Sequence, residues 1–231
     1  MRSPAGLLVI VWFALIGLAV ALTVAAAQHH TLPGDKVILN WGQDRAFPGE
    51  HLSDAVRVVT GTEVVVATGV LIALGLWLLG LRVAAVVLVV GVLILPFFQV
   101  GLKELVDRPR PGGAEVDLRA GFSSSSFPSG HTMSPTVLYG FLFWVSLRAA
   151  FWHAPRLMAI VAAPVLILLA GAASVWQGVH WPSDVLGGWA WGVILVAGLV
   201  FLYELLVPWI SSFQTTAGVG FHSEKSEGPS T

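Results

Sequence analysis

Six long apolar segments constrain this chain more than any other feature of its sequence. They lie at residues 5–27, 62–80, 83–102, 131–147, 157–176 and 185–207. A helix needs about 20 mainly apolar residues to cross the hydrocarbon core of a bilayer. Because lipid offers no hydrogen-bond partners to the backbone, segments that are apolar all round favour helices. The sequence therefore predicts an all-α fold built as a bundle of six transmembrane helices.

The composition supports an integral membrane protein. Hydrophobic residues make up 56% of the 231 residues and charged residues 11%, whereas a soluble domain carries about 25% charged residues. The formal net charge of −1 excludes a strongly basic surface for nucleic acid. The absence of Cys excludes a disulfide framework, a thiolate nucleophile and a Cys metal site.

One membrane domain accounts for most of the chain. We predict this domain over residues 1–211, followed by a disordered polar tail over residues 212–231 that is rich in Gly, Ser and Thr. Ala25-Ala26-Ala27 resembles a signal-peptidase site, but the apolar core before it is about 22 residues long, beyond the 7–15 usual for a signal peptide. We therefore expect the first segment to remain as a helix. Residues 28–61 are predicted to form a long loop, a candidate part of a lid or headgroup sleeve.

The basic residues indicate the orientation in the membrane. The short connections near Arg82 and between Arg148 and Arg156 carry basic side chains and no acidic ones. Because cytoplasmic loops are enriched in Lys and Arg, we expect these connections and both termini inside. The opposite face has more basic residues in total, but they lie among acids or belong to the motifs described below. We predict an integral protein of the plasma membrane whose polar motifs face the extracytoplasmic side.

A basic motif follows the third apolar segment. It runs from Lys103 to Arg110-Pro111, with Pro109 just before the Arg. The prolines end the helix, so Lys103 lies at its end and Arg110 on a rigid loop. Arg offers a planar fork for phosphate oxygens, and Lys offers a compact charge. The alternative is a pair of basic side chains that reach from the membrane boundary to water.

The second motif, Pro128-Ser129-Gly130-His131, opens the fourth apolar segment. Ser129 is a candidate helix N-cap, and Gly130 allows backbone N–H groups to approach a ligand closely. A helix N-terminus favours anions, and His131 is placed to give a proton to a leaving oxygen there. Ordinary helix capping after a Ser-rich loop explains the same residues.

The third motif, His180-Trp181-Pro182-Ser183-Asp184, precedes the sixth segment. Pro182 suits the first turn of a helix, and the four-residue spacing lets Asp184 contact His180. A carboxylate on one imidazole nitrogen fixes the tautomer and leaves the other nitrogen nucleophilic. The alternative is an interfacial His beside an Asp that caps the helix. Because charged groups near hydrocarbon cost free energy, the three motifs together favour a functional site.

The three motifs, in this order and across six apolar segments, resemble those of the type 2 phosphatidic acid phosphatase family, which shares a superfamily with vanadium haloperoxidases. The resemblance covers about residues 60–205. It implies a metal-independent phosphatase, without a cofactor, that hydrolyses a lipid phosphate or lipid pyrophosphate through a phosphohistidine. By motif match, His180 is the nucleophile, Asp184 orients it and His131 is the general acid. The implied phosphate-binding residues are Lys103, Arg110, Ser129 and the backbone of Gly130.

One position departs from the family pattern. The third motif of the family normally begins with Ser-Arg, whereas this chain has Ala173-Ser174 at those positions. Loss of one donor to a developing oxyanion typically costs about 10²–10³ in rate. The candidate replacement donors are Arg108, Arg119 and Gln177. If the missing guanidinium limits catalysis, we expect Ser174→Arg to raise activity; if the site has been rebuilt, we expect it to lower activity.

Three other functions compete with a lipid phosphatase. A catalytically silent lipid-phosphate binder of the same fold accounts for Ser174. A proton-coupled transporter uses His and Asp within the membrane, but here the charges cluster at segment ends and the sequence has no pair of broken helices in two halves. A soluble haloperoxidase conflicts with the apolar composition. The predicted partners are therefore the bilayer and a lipid phosphate or pyrophosphate, with no nucleic acid.

Overall fold

The computed structural model describes residues 4–113, 116–148 and 153–220. The regular secondary structure in these ranges is helical throughout, which confirms the all-α prediction. In chain order the helices are α1 Pro4–Gln28, α2 Asp35–Gln43, α3 Glu50–Thr60, α4 Thr62–Leu78, α5 Arg82–Val106, α6 Gly130–Arg148, α7 His153–Trp176 and α8 Pro182–Gly220.

Each of the six predicted apolar segments overlaps one helix, namely α1 and α4 through α8. Among the described residues, three helices are long and apolar enough to cross a membrane: Val9–Gln28, Arg82–Val106 and Pro182–Pro208. The pair α3 and α4 is a fourth candidate, bent by 58° at its break. These helices support an integral membrane protein, whereas the count of six spans stays a prediction.

The region between the first two predicted spans is not a loop throughout, which corrects the prediction for residues 28–61. It contains α2 and α3, of 9 and 11 residues. Each helix buries one side, through Leu39 in α2 and Val56 in α3. Both helices are amphipathic, and their polar sides lower the local hydropathy, so hydropathy alone does not distinguish them from a loop, whereas the helical period of their apolar residues does.

The core of the membrane part lies between α4, α5, α6 and α8. Its buried side chains include Leu88, Val92 and Phe141. Helices come closest where a glycine faces a neighbour: a Cβ at Gly91 of α5 would lie 2.5 Å from Leu199 Cδ1 of α8. Small residues allow such close packing between membrane helices.

A similar close approach joins the N-terminal ends of α6 and α8 and positions the polar motifs. A Cβ at Gly188 would lie 2.0 Å from Thr132 Oγ1 and 2.7 Å from the carbonyl oxygen of Ser129. The backbone N–H of Ser129 donates to Asp184 O at 3.1 Å. Backbone contacts therefore hold the second and third motifs against each other.

The two ends of the predicted membrane domain are only partly described. The polar tail predicted from residue 212 begins inside α8, which ends at Gly220. Residues 221–231 lie outside the described residues, so disorder in the tail stays a prediction. The connection between Arg148 and Arg156 includes residues 149–152, which also lie outside the described ranges.

Candidate active site

The three polar motifs meet at one end of the helix bundle. Arg110 Nη1 of the first motif lies 3.2 Å from His180 Nε2 of the third and donates to Val179 O at 2.7 Å. His131 and Lys103 both lie within electrostatic reach of His180. The structure therefore brings together residues that three separate stretches of sequence supply.

The third motif lies at the start of α8, where Pro182 is the first helical residue. Asp184 Oδ2 accepts the backbone N–H of Trp181 at 2.8 Å and so caps the helix. The same oxygen lies 3.6 Å from His180 Nδ1, which is longer than a hydrogen bond. Asp184 therefore caps the helix, as the alternative interpretation requires, and is also the acidic neighbour of His180, so its role toward His180 stays a prediction.

Arg108 is the buried group that holds Asp184 in place. Its guanidinium donates from Nη1 to Asp184 Oδ1 at 2.5 Å and from Nη2 to Asp35 Oδ2 at 2.7 Å. Ser126 Oγ donates to the second carboxylate oxygen of Asp184. Only 1% of Arg108 is exposed, and a buried charge is tolerated when it is paired in this way. These contacts occupy Arg108, which rules it out as the replacement for the missing motif Arg.

Asp35 ties α2 to the start of α8, although no motif marks it in the sequence. Its Oδ1 accepts the backbone N–H of Ser183 at 2.9 Å, and its Oδ2 accepts the Ser183 hydroxyl at 2.8 Å. The local signal is an acidic residue directly after Gly34, whose φ is 90°, at a helix start. Through Asp35 and Arg108, α2 fixes the segment that carries His180 and Asp184.

The contacts of His180 assign its tautomer. A guanidinium only donates hydrogen bonds, so the contact with Arg110 assigns Nε2 as the acceptor. The ring proton is then on Nδ1, which faces Asp184. Burial lowers the pKa of His180 to about 4; Asp184 opposes this effect, and Arg110 and Lys103 add to it. The imidazole is therefore neutral at physiological pH, with its lone pair directed toward Arg110.

Arg110 and Lys103 hold one loop of the site through its carbonyl groups. Arg110 Nε donates to Ser124 O at 2.7 Å, and Lys103 Nζ donates to Ser125 O at 2.5 Å. The Arg110 guanidinium also lies 4.8 Å from the ring centre of Phe122. Burial is the main cause that lowers the pKa of Arg110 to about 10, so this side chain stays charged at neutral pH. A phosphate oxygen is a stronger acceptor for both cations than a neutral carbonyl.

Ser129 and Gly130 form the N-terminal end of α6. The carbonyl of Ser129 accepts the N–H of Met133 at 3.0 Å, so its backbone caps the helix. The Ser129 hydroxyl is buried and has no hydrogen-bond partner among the described residues. A Cβ at Gly130 would lie 3.2 Å from Gln99 Oε1, and His131 follows in the first turn. A buried, unpartnered hydroxyl at a helix N-terminus suits an anionic ligand.

Ser174 and the other two candidate replacement donors are committed to protein partners. Ser174 is 4% exposed, and its hydroxyl donates to the carbonyl four residues earlier. Gln177 Nε2 donates to Asp54 Oδ1 at 2.9 Å. Arg119 Nη1 donates to Trp176 O at 3.2 Å. None of these contacts places a guanidinium at His180. The three replacements predicted from the sequence therefore do not supply the donor that is missing at Ser174.

Comparisons with known proteins agree with the motifs and the fold. Phosphatidylglycerophosphatase B of Bacillus subtilis strain 168 is 35% identical over 95 residues, which span 41% of this chain and only 45% of that relative. The crystal structure of a transmembrane PAP2-type phosphatidylglycerolphosphate phosphatase from Bacillus subtilis matches with a TM-score of 0.68 at 24% identity, covering 82% of this chain and 96% of the other. The model of the PAP2 superfamily matches residues 75–207, which include all three motifs. This chain therefore belongs to the PAP2 superfamily.

Proposed function

We propose that this protein is a membrane-integrated phosphatase that hydrolyses a lipid phosphate or lipid pyrophosphate through a phosphohistidine on His180. The observation that carries the proposal is the environment of this buried imidazole. Its Nε2 lone pair points toward a guanidinium, and its Nδ1 faces a carboxylate. A neutral imidazole oriented in this way is a nucleophile beside a cationic site for an anion.

In the first step, His180 Nε2 attacks the phosphorus, and the bond from phosphorus to the lipid oxygen breaks. The imidazole becomes cationic as Nε2 bonds to phosphorus, and the Asp184 carboxylate near Nδ1–H stabilises that charge. His131, whose protonated form is favoured once the phosphate anion is bound beside it, gives its proton to the leaving oxygen. Arg110 and Lys103 neutralise the charge on the transferring phosphoryl group.

In the second step, water attacks the phosphorus of the intermediate. Neutral His131 accepts a proton from this water, the Nε2–P bond breaks, and inorganic phosphate leaves. His180 returns to its neutral form with the proton still on Nδ1. The Ser129 hydroxyl and the backbone at Gly130 supply neutral donors to the phosphate in both steps, in agreement with their position at the start of α6.

A lipid substrate is supported by an apolar groove close to the third motif. The groove has a volume of about 750 Å³ and lies between α2, α7 and α8, with Trp41, Val175 and Trp189 in its lining. Pro182, which also lines it, is two residues from His180. An acyl chain in this groove would keep its phosphate at the polar end of the bundle. We place that end on the extracytoplasmic side of the plasma membrane, following the distribution of basic connections.

A second candidate function is binding of lipid phosphates without turnover. Ser174 favours it, because the family motif has a phosphate-binding Arg at this position and none of the three predicted replacements is free. The nucleophile, its acidic neighbour and the second His are all retained, which favours an enzyme.

Phosphate release from purified protein in detergent separates the two functions. We would test phosphatidic acid, phosphatidylglycerol phosphate, diacylglycerol pyrophosphate and a polyprenyl pyrophosphate, each with and without EDTA. We expect release from at least one lipid, unaffected by EDTA because the phosphate is held by cationic side chains, and no release by His180→Ala. Release by His180→Ala at the wild-type rate would contradict the phosphohistidine mechanism. Binding of these lipids without release by the wild type would favour the second candidate.

A further inference from the structure

Helix α3 packs against the part of α7 that carries Ser174. Val56 of α3 lies in one buried cluster with Ala170 and Ala173. Asp54, half a turn earlier, accepts the hydrogen bond from Gln177. The residues of α7 that α3 contacts lie on both sides of Ser174 in the sequence. Helix α3 therefore runs alongside the turn of α7 that carries Ser174, the position of the Arg in the family motif.

Arg57 projects from α3 toward the loop whose carbonyl groups accept hydrogen bonds from Arg110 and Lys103. It is three residues after Asp54 and therefore shares a helix face with it. Arg57 Nη2 donates to Gly121 O at 2.6 Å. Arg110 and Lys103 donate to Ser124 O and Ser125 O of the same loop. Three cationic side chains from three elements thus converge on residues 121–125.

The charge of Arg57 reaches the residues that act on the phosphate. Arg57 is among the groups that lower the pKa of Arg110, after burial and against Asp184. It also acts electrostatically on His131, the residue at the start of α6. Like charges that approach each other in this way raise the free energy of the site unless an anion lies between them.

Most donors of Arg57 are available. The described residues place no carboxylate within 4.0 Å of its guanidinium. One hydrogen bond to a neutral carbonyl uses one of the five N–H donors of an Arg side chain. Exchange of that bond for charge-assisted bonds to phosphate oxygens is favourable, because the latter are stronger.

We propose that Arg57 binds the substrate phosphate together with Arg110 and Lys103, and so replaces the guanidinium that is absent at Ser174. The anion would lie between the three cations, on the side of the loop that faces His180. This inference rests on the proposed function, because the ligand is the phosphate of that substrate. It explains how Ser174 is compatible with an active site: the missing donor comes from α3 rather than α7.

Kinetics and anion binding of Arg57→Gln test this role. We expect kcat/KM for the best lipid of the screen to fall about 10²–10³-fold, the usual cost of one oxyanion donor. The inhibition constant of orthovanadate, which mimics the transition state at His180, should rise at least about tenfold. Arg57→Lys should recover part of both losses, since it keeps the charge but not the planar fork. Arg82→Gln, which removes a guanidinium stacked on Trp77 at the start of α5, is the matched control and should behave as wild type.

An unchanged orthovanadate inhibition constant in folded Arg57→Gln would overturn the proposal, because a residue that only anchors the loop would alter the rate and not the affinity for the anion. If Arg57→Gln does not fold, Arg57→Lys provides the test. Wild-type kinetics together with wild-type orthovanadate inhibition in Arg57→Lys would then overturn the proposal.

If the wild type releases no phosphate, the proposed function fails, and calorimetric binding of orthovanadate tests Arg57 separately. Weaker binding by Arg57→Gln would support the inference, and equal binding would overturn it.

Discussion

The buried contacts around Asp184 show that one side chain serves both the fold and the site. Its carboxylate caps α8, lies 3.6 Å from His180 Nδ1 and is bonded to Arg108, which is bonded in turn to Asp35. We therefore expect substitutions in this group to affect stability and activity together. The residues that we propose bind only the phosphate are better probes of the chemistry.

We expect Arg108→Met to lower stability more than any single change in the surface cations. It leaves the carboxylates of Asp35 and Asp184 buried without their cation, and breaking a buried pair costs about 3–5 kcal/mol. Thermal unfolding of the purified protein in detergent measures the loss, with Arg82→Gln as the control. An unchanged melting temperature for Arg108→Met would show that this ion pair does not stabilise the fold.

The pKa of His180 predicts the acidic side of the pH profile. In the proposed mechanism Nε2 has to be unprotonated to attack phosphorus, and the pKa of His180 is lowered from its ordinary value to about 4. As pH falls through 6.5, the unfolded chain takes up a proton that the folded protein does not, so stability decreases while activity persists. We expect kcat/KM to fall only near pH 4, provided that the protein is shown to be folded at each pH. A fall centred near the ordinary His value of about 6.5 would contradict the buried, neutral imidazole.

The burial of Ser174 favours the second of the two outcomes expected for Ser174→Arg, a loss of activity. The side chain is 4% exposed and lies beside α3, so a longer, charged Arg there would have to displace buried neighbours. We expect Ser174→Arg to lower both kcat/KM and the melting temperature, since removing a charge from water is costly. Ser174→Ala, which removes only the hydroxyl, is the control and should retain most activity. Faster turnover by Ser174→Arg would show that the missing guanidinium limits catalysis.

At the scale of the elements, two features place the site. The close approach of α6 and α8 brings the second motif to the third, and the short helices α2 and α3 cover the same end of the bundle. The first depends on glycines inside an apolar helix. The second depends on two short amphipathic helices that hydropathy does not separate from a loop.

We expect Gly188→Ala to disturb the site through the α6–α8 contact. Its Cβ would lie 2.0 Å from Thr132 Oγ1 and 2.7 Å from the backbone oxygen of Ser129, so the start of α6 has to move. Gly198→Ala in the same helix is the control, because a Cβ there meets nothing within 4 Å. Melting temperature and kcat should both fall for Gly188→Ala and not for Gly198→Ala, which should gain a little helix stability. Equal behaviour of the two variants would contradict tight packing of these helices at the site.

At the scale of the whole molecule, every polar motif lies at one end of the bundle, and the connection between α4 and α5 lies at the other end of α5 from Lys103. The bundle therefore has a polar end, which carries the candidate site, and an opposite end with short connections. We predict the orientation of these two ends in the membrane from the distribution of basic residues.

Single Cys residues in this Cys-free chain test the orientation. Leu118, in the loop after the first motif, is 46% exposed, and Leu79, in the connection from α4 to α5, is 67% exposed. We expect a membrane-impermeant maleimide to label Leu118→Cys in intact cells and Leu79→Cys only after permeabilisation. The reverse pattern would place the site in the cytoplasm, and the Cys-free chain controls for background labelling.

Hydropathy and motif spacing by themselves determined the helical class, the apolar segments, the three motifs and the family. They could do so because lipid forces apolar segments into helices and because each motif is contiguous in sequence. Only the tertiary structure decided the partners of Asp184, the neutral tautomer of His180 and the convergence of Arg57 with Arg110. These depend on contacts between residues that are distant in sequence, such as Arg108 with Asp35 and Arg57 with Gly121. Such contacts arise from how the helices pack, and no local pattern of hydropathy or spacing encodes them.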